Sequence, residues 1–110
     1  MRPVVVLADA VADLEKARQF YNGQEQGVGE YCVESLLADI SNLANYSGIH
    51  SKHFGCFRLL GSRFPFGIYY QEIGEATCVI AILDLRRDPS RIRSQITRRQ
   101  RKLEGGQQDP

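Results

Sequence analysis

The 110-residue chain predicts an α+β domain: an N-terminal strand, an antiparallel helical hairpin packed on a mostly antiparallel sheet of about four strands, and a C-terminal helix or tail. Three observations carry this. In the first half of the chain apolar residues recur at steps of three and four, the period of a half-buried helix. From Cys56 onward the pattern changes to short β-type runs separated by Gly and Pro. The run 76–85 is apolar at nearly every position, as in a central strand covered on both faces.

The elements follow in order. Val4 to Leu7 is a short β-type run. Asp9 stands where a carboxylate can cap the orphan amides of a helix. Val11, Leu14, Ala17, Phe20 and Tyr21 then form one apolar face, and Asn22-Gly23 tolerates the left-handed backbone of a helix end. After the turn Gly27-Val28-Gly29 a second stripe runs through Val28, Cys32, Leu36, Ile40 and Leu43, widened by Leu37 and Ala44. Two such helices with a short connection form a hairpin whose apolar faces need a sheet to cover. Residues 45–55 read as a polar loop carrying His50, Lys52 and His53. Strands follow at 56–60, 66–72 and 76–85, the last two joined by Ile73-Gly74-Glu75. Pro65 lacks an amide hydrogen and marks the start of a strand. Pro89 ends the last one and opens a helix over 90–103, with a Gly- and Gln-rich disordered tail expected at 104–110.

Composition narrows the class. The length fits one domain with a single modest core. No apolar run approaches the roughly 18 to 20 residues that span a bilayer. The run after Met1-Arg2-Pro3 is too short for a signal peptide core, so a cytoplasmic protein is expected. Cys32, Cys56 and Cys78 are odd in number and lack CxxC spacing, and they read as small buried hydrophobes. The net charge of +1 conceals an asymmetry. Residues 1–85 hold 6 Lys and Arg against 10 Asp and Glu, and residues 86–110 hold 8 against 3. The body is acidic and the tail basic, so the tail forms a solvated helix face or meets an acidic partner or nucleic acid.

The arginines are the strongest chemical signal. Arg58 lies in the first strand of the trio, Arg63 just before the second, and Arg86 and Arg87 at the end of the third. Antiparallel neighbours bring such ends together, and a rim of guanidinium forks holds phosphate or carboxylate. Singly, each reads as an exposed charge paired with Asp84, Asp88 or Glu72. Tyr69 and Tyr70 point to opposite faces, so one enters the core and the other can sit beside the arginines. Metal binding is weak: His50 and His53 are three apart in a loop with no convergent third ligand. There is no GxSxG motif and no cysteine with a visible histidine partner. No cofactor and no metal are expected.

Asp13-Leu14, Phe20-Tyr21, Gly27-Val28-Gly29, Arg58, Arg63-Phe64-Pro65-Phe66, Ile68-Tyr69-Tyr70, Val79-Ile80-Ala81-Ile82-Leu83 and Arg86-Arg87-Asp88-Pro89 together resemble the ParE/RelE superfamily of type II toxin–antitoxin (plasmid stabilisation) toxins, nearer its ParE branch. The resemblance implies a RelE/ParE-like toxin domain over 1–90, with a basic helix and disordered tail over 91–110. It implies a growth inhibitor that binds DNA gyrase and is neutralised by a cognate antitoxin in a hetero-oligomer. The alternative within the superfamily is a ribosome-dependent mRNA endonuclease. A further alternative is an inactive homologue or a nucleic-acid-binding module. Many relatives carry His where this chain has Asp84, and no Tyr or His follows, which favours the non-nuclease branch. The target-binding candidates are Arg58, Arg63, Tyr70, Arg86 and Arg87. His50, His53 and Asp84 are weaker ones.

Overall fold

A computed structural model describes residues 1–108 and gives the order β1 (Val4–Val6), α1 (Ala8–Gln24), α2 (Val28–Ser41), α3 (Leu43–Tyr46), β2 (Lys52–His53), β3 (Cys56–Leu60), β4 (Phe66–Ile73), β5 (Ala76–Asp84) and α4 (Pro89–Gln108). The five strands form one sheet in the order β1-β5-β4-β3-β2, antiparallel except for the β1–β5 pair. This is the expected α+β architecture. β5 is central, as its unbroken apolar run requires, and is buried from Thr77 through Leu83.

The sheet separates two cores. On one face Ala10, Leu14 and Ala17 of α1 and Cys32, Leu36 and Ile40 of α2 meet Phe66, Ile68, Tyr70, Val79 and Ile82. On the other, Ile92 and Ile96 of α4 cover Cys56, Tyr69, Ile80, Ala81 and Leu83. Both tyrosines of β4 are therefore core residues, one on each face, and neither presents a free ring at the surface. All three cysteines are buried and unpaired.

Several boundaries differ from the sequence reading, each for a local reason. Leu7, not Asp9, sits at the start of α1 and makes no side-chain cap. Asp9 lies in the first turn and pairs with Lys102. The apolar stripe of α1 is centred on Ala10, Asp13, Leu14 and Ala17, which leaves Val11 and Phe20 about half exposed. The helix runs through Asn22-Gly23 to Gln24, because the Asn22 carboxamide caps the following turn instead: its Oδ1 accepts from the amides of Gly27 and Gly29. The loop at 45–55 contains the two-residue strand β2, so the sheet has five strands instead of about four. α4 extends past Leu103 to Gln108, so the expected disorder at 104–108 is replaced by helix. Asp109 and Pro110 lie outside the described residues.

Part of the charge asymmetry resolves internally. Arg99 of α4 reaches Asp13 of α1 in a two-pronged ion pair, 2.6 and 2.9 Å, with the Asp13 side chain only 4% exposed. Among the described residues no helix is long and apolar enough to cross a membrane.

Candidate binding surface at one end of the sheet

Phe66, the first residue of β4, pairs with Asp84, the last of β5. Arg63 precedes the one and Arg86-Arg87 follow the other, so these three arginines share one end of the sheet. Each of the first two is held by an aromatic hydroxyl. Arg63 Nη1 donates to the Tyr31 hydroxyl at 2.9 Å, and its guanidinium lies 5.9 Å from that ring's centre. Arg86 Nη2 donates to the Tyr21 hydroxyl at 3.3 Å. Phe64 lies between, with ring centres 5.6 Å from Tyr31 and 4.9 Å from Tyr21. Phe20 extends the row, edge-on to Tyr21. The result is a continuous aromatic strip with an arginine at either end. Tyr31 and Phe20 remain about half exposed.

Asp84 explains how Arg86 is aimed. Both carboxylate oxygens accept from its guanidinium, and one also accepts from its backbone amide. The hydrogen bonds from Arg86 hold the Asp84 carboxyl below the ordinary carboxylate range despite its partial burial. The Arg86 side chain remains 58% exposed, so the pair orients the fork without hiding it.

The single rim expected from the sequence is divided. Arg58 lies opposite Tyr69 across β3–β4, on the face covered by α4. Its Nε is buried with no hydrogen-bond partner among the described residues. Tyr70 belongs to the hairpin face, stacked on Phe57 away from the arginines. Its hydroxyl accepts from the Gly48 amide at 3.0 Å and shares a second hydrogen bond with Nδ1 of His50, 2.5 Å away. His53 contacts Ser51. Neither histidine joins the sheet end, and among the described residues no three His, Cys, Asp or Glu side chains gather as metal ligands.

Sequence reasoning missed the aromatic half of this surface. Tyr31 lies beside Cys32 but off the buried stripe of α2, and that position was the available signal for an exposed aromatic with a surface role.

The His50–Tyr70 contact makes a pH prediction. Burial pushes the His50 imidazole below its ordinary value. The unfolded chain then binds the proton more tightly, so stability rises with pH. This contribution is complete above the ordinary imidazole range near about 6.5 and is lost as pH falls through the lower folded value. Urea midpoints measured between about pH 7.5 and 5 should fall in the parent chain and fall less in His50→Gln. Asp84 and Asp88, both held below the usual range, lose their contributions only at lower pH.

No protein-family model matches the chain, and no curated protein matches it closely enough to count. Among solved structures it is similar to a chain of the structure described as the chromosomal ParDE TA system from P. aeruginosa, with a TM-score of 0.67, 20% identity, and coverage of 74% of this chain and 94% of that one. At that identity the likeness is one of fold, and the α+β fold of this chain is the fold of that ParDE chain.

Proposed function

We propose that this chain is the toxin of a type II toxin–antitoxin pair, that it acts by binding DNA gyrase, and that a cognate antitoxin neutralises it. The observation that carries the reading is the fold likeness to a ParDE chain over nearly all of that chain's length. The aromatic strip with Arg63 and Arg86 at its ends supports a binding mode of action. Aromatic and arginine side chains dominate the energetics of protein interfaces. The fixed guanidinium forks suit carboxylates on a partner.

Binding is favoured over RNA cleavage by the disposition of the acid–base groups. Asp84 is taken up by Arg86 and His50 by Tyr70. Cleavage through a 2′-hydroxyl needs an acid and a base beside the phosphate-contacting cation.

Purified protein should block supercoiling by gyrase while leaving translated mRNA intact. Untouched supercoiling together with cut mRNA would replace gyrase by the ribosome as target. Arg63→Ala and Arg86→Ala should each relieve growth inhibition at matched expression. Both side chains are exposed, so each change should alter stability by only about 0.5 to 1 kcal/mol. Full toxicity in both variants would remove the arginines from the target contact.

A further inference from the structure

We propose that the outer face of α4 binds the phosphate backbone of duplex DNA. The proposal does not rest on the toxin reading, because it uses residues outside the aromatic and arginine surface at the sheet end. It begins with the two unlike sides of α4. Ile92 and Ile96 are buried against the sheet, with Leu103 packed beside them. The opposite side is polar throughout: Arg91, Arg93, Ser94, Arg98, Arg101 and Lys102 are all exposed. Arg91, Ser94, Arg98 and Arg101 follow one another at steps of three, four and three, so they form one stripe along the helix. Arg93 flanks that stripe.

Two of the helix's cations are used inside the molecule. Arg99 pairs with Asp13, and Lys102 with Asp9. Arg91, Arg93, Arg98 and Arg101 form no ion pair among the described residues. The helix carries a single acid, Glu104, beyond the last arginine. Arg98 and Arg101 are one turn apart and repel each other, a penalty that a bound polyanion removes. The rest of the chain has the opposite balance: residues 1–88 hold 8 Lys and Arg against 11 Asp and Glu. A polyanion is repelled there and attracted at α4, which fixes the side it approaches.

The kind of polyanion follows from what this face lacks. No large apolar side chain is exposed on it, so it has nothing to insert into a bilayer and no centre for a protein interface. α4 contains no aromatic ring on which the bases of a single strand could stack. What remains is attraction to closely spaced phosphates, whose affinity comes from released counterions. Guanidinium forks take phosphate oxygens in pairs. From Arg91 to Arg101 the helix rises about 15 Å, a length over which a duplex carries about nine phosphates. Ser94, between the arginines, can donate to a further phosphate oxygen. B-form DNA suits a helix better than A-form RNA, whose major groove is too narrow to admit one.

The test is direct binding of the purified full chain, without gyrase, to a fluorescein-labelled DNA duplex of mixed sequence, followed by anisotropy. At about 50 mM salt the dissociation constant should be micromolar, and its salt dependence should give a log–log slope of about −3.5 for four arginines. Arg91→Gln, Arg98→Gln and Arg101→Gln should each reduce that slope by about 1 and weaken binding about tenfold. Lys52→Gln, the same loss of charge on β2, should leave the slope unchanged. In the unaltered ¹⁵N-labelled chain the Ser94 and Thr97 amides should shift on adding duplex while those of α2 stay in place, an arm that needs no variant to fold. No binding at about 0.1 mM protein would overturn the proposal, as would one slope common to all variants. Tighter binding of decathymidylate, an RNA duplex of equal length, polyglutamate or phosphatidylglycerol vesicles than of the DNA duplex would overturn it too.

Discussion

Asp13→Ala is expected to lower the unfolding free energy by about 3 to 5 kcal/mol, the usual result of removing one partner of a buried ion pair. In a domain whose total stability is about 5 to 15 kcal/mol this approaches unfolding. The size follows from how many groups depend on one carboxylate. Its Oδ2 accepts from Arg99 Nη1 and from the Ile82 amide, and its Oδ1 accepts from Arg99 Nη2. Alanine leaves a largely buried guanidinium without its counter-ion and the amide without an acceptor. The hydrogen bonds to Asp13 are the leading reason the Arg99 guanidinium is held more firmly protonated than usual, so that charge does not leave on its own. Asp13→Asn keeps an acceptor for Ile82 and should fall between parent and alanine. In Asp13→Ala/Arg99→Ala the loss should be clearly smaller than the sum of the single losses, because the second change removes the stranded charge. Urea unfolding of the four proteins gives the coupling directly. Arg99→Ala should also make α4 more sensitive to protease than the body, because Arg99 ties the helix to both α1 and β5. Additive losses would mean that the two side chains act independently.

The same ion pair marks how far the sequence could be read. An acid at position 13 interrupts the stripe of Ala10, Leu14 and Ala17, so its need for a buried partner was visible. Its partner lies 86 residues away in a helix with five other basic residues, and nothing local singles out Arg99. β5 was legible because a strand with a neighbour on each side and a helical layer on each face must be apolar throughout. Its bulge, where Tyr69 pairs with Ala81 and Tyr70 with Val79, was not, since Val79, Ile80 and Ala81 are all apolar and the step in register leaves no mark. β2 escaped because a two-residue edge strand made of Lys52 and His53 has no apolar signature. The arginine rim shows the same divide. Arg63, Arg86 and Arg87 meet through strand ends, which follow from the order of turns. Arg58 was misplaced because its face depends on the β3–β4 register, and the sequence does not state which face α4 covers.

Gly29→Ala is expected to cost about 2 kcal/mol or more and to lower the melting temperature by about 10 °C. Gly29 stands at the start of α2, where that helix approaches the backbone of α1 closely. A Cβ there would overlap the Arg18 carbonyl oxygen and the Asn22 side chain. The carbonyl belongs to the backbone of α1 and cannot turn aside, so α1 must move. Movement also strains the two bonds from the Gly27 and Gly29 amides to Asn22 Oδ1, which hold the turn closed. The effect should reach the sheet end, because Tyr21 sits just before Asn22 and Tyr31 just after Gly29, and these two rings hold Arg86 and Arg63. Gly29→Ala should therefore weaken the proposed binding of gyrase beyond what its folded fraction explains. Gly23→Ala is the matched control: it lies in the same hairpin with nothing within 4 Å of its added Cβ. Restricting the unfolded chain there should raise stability by about 0.5 kcal/mol. Opposite shifts in melting temperature would confirm the close approach of the helices at Gly29, and equal shifts would refute it.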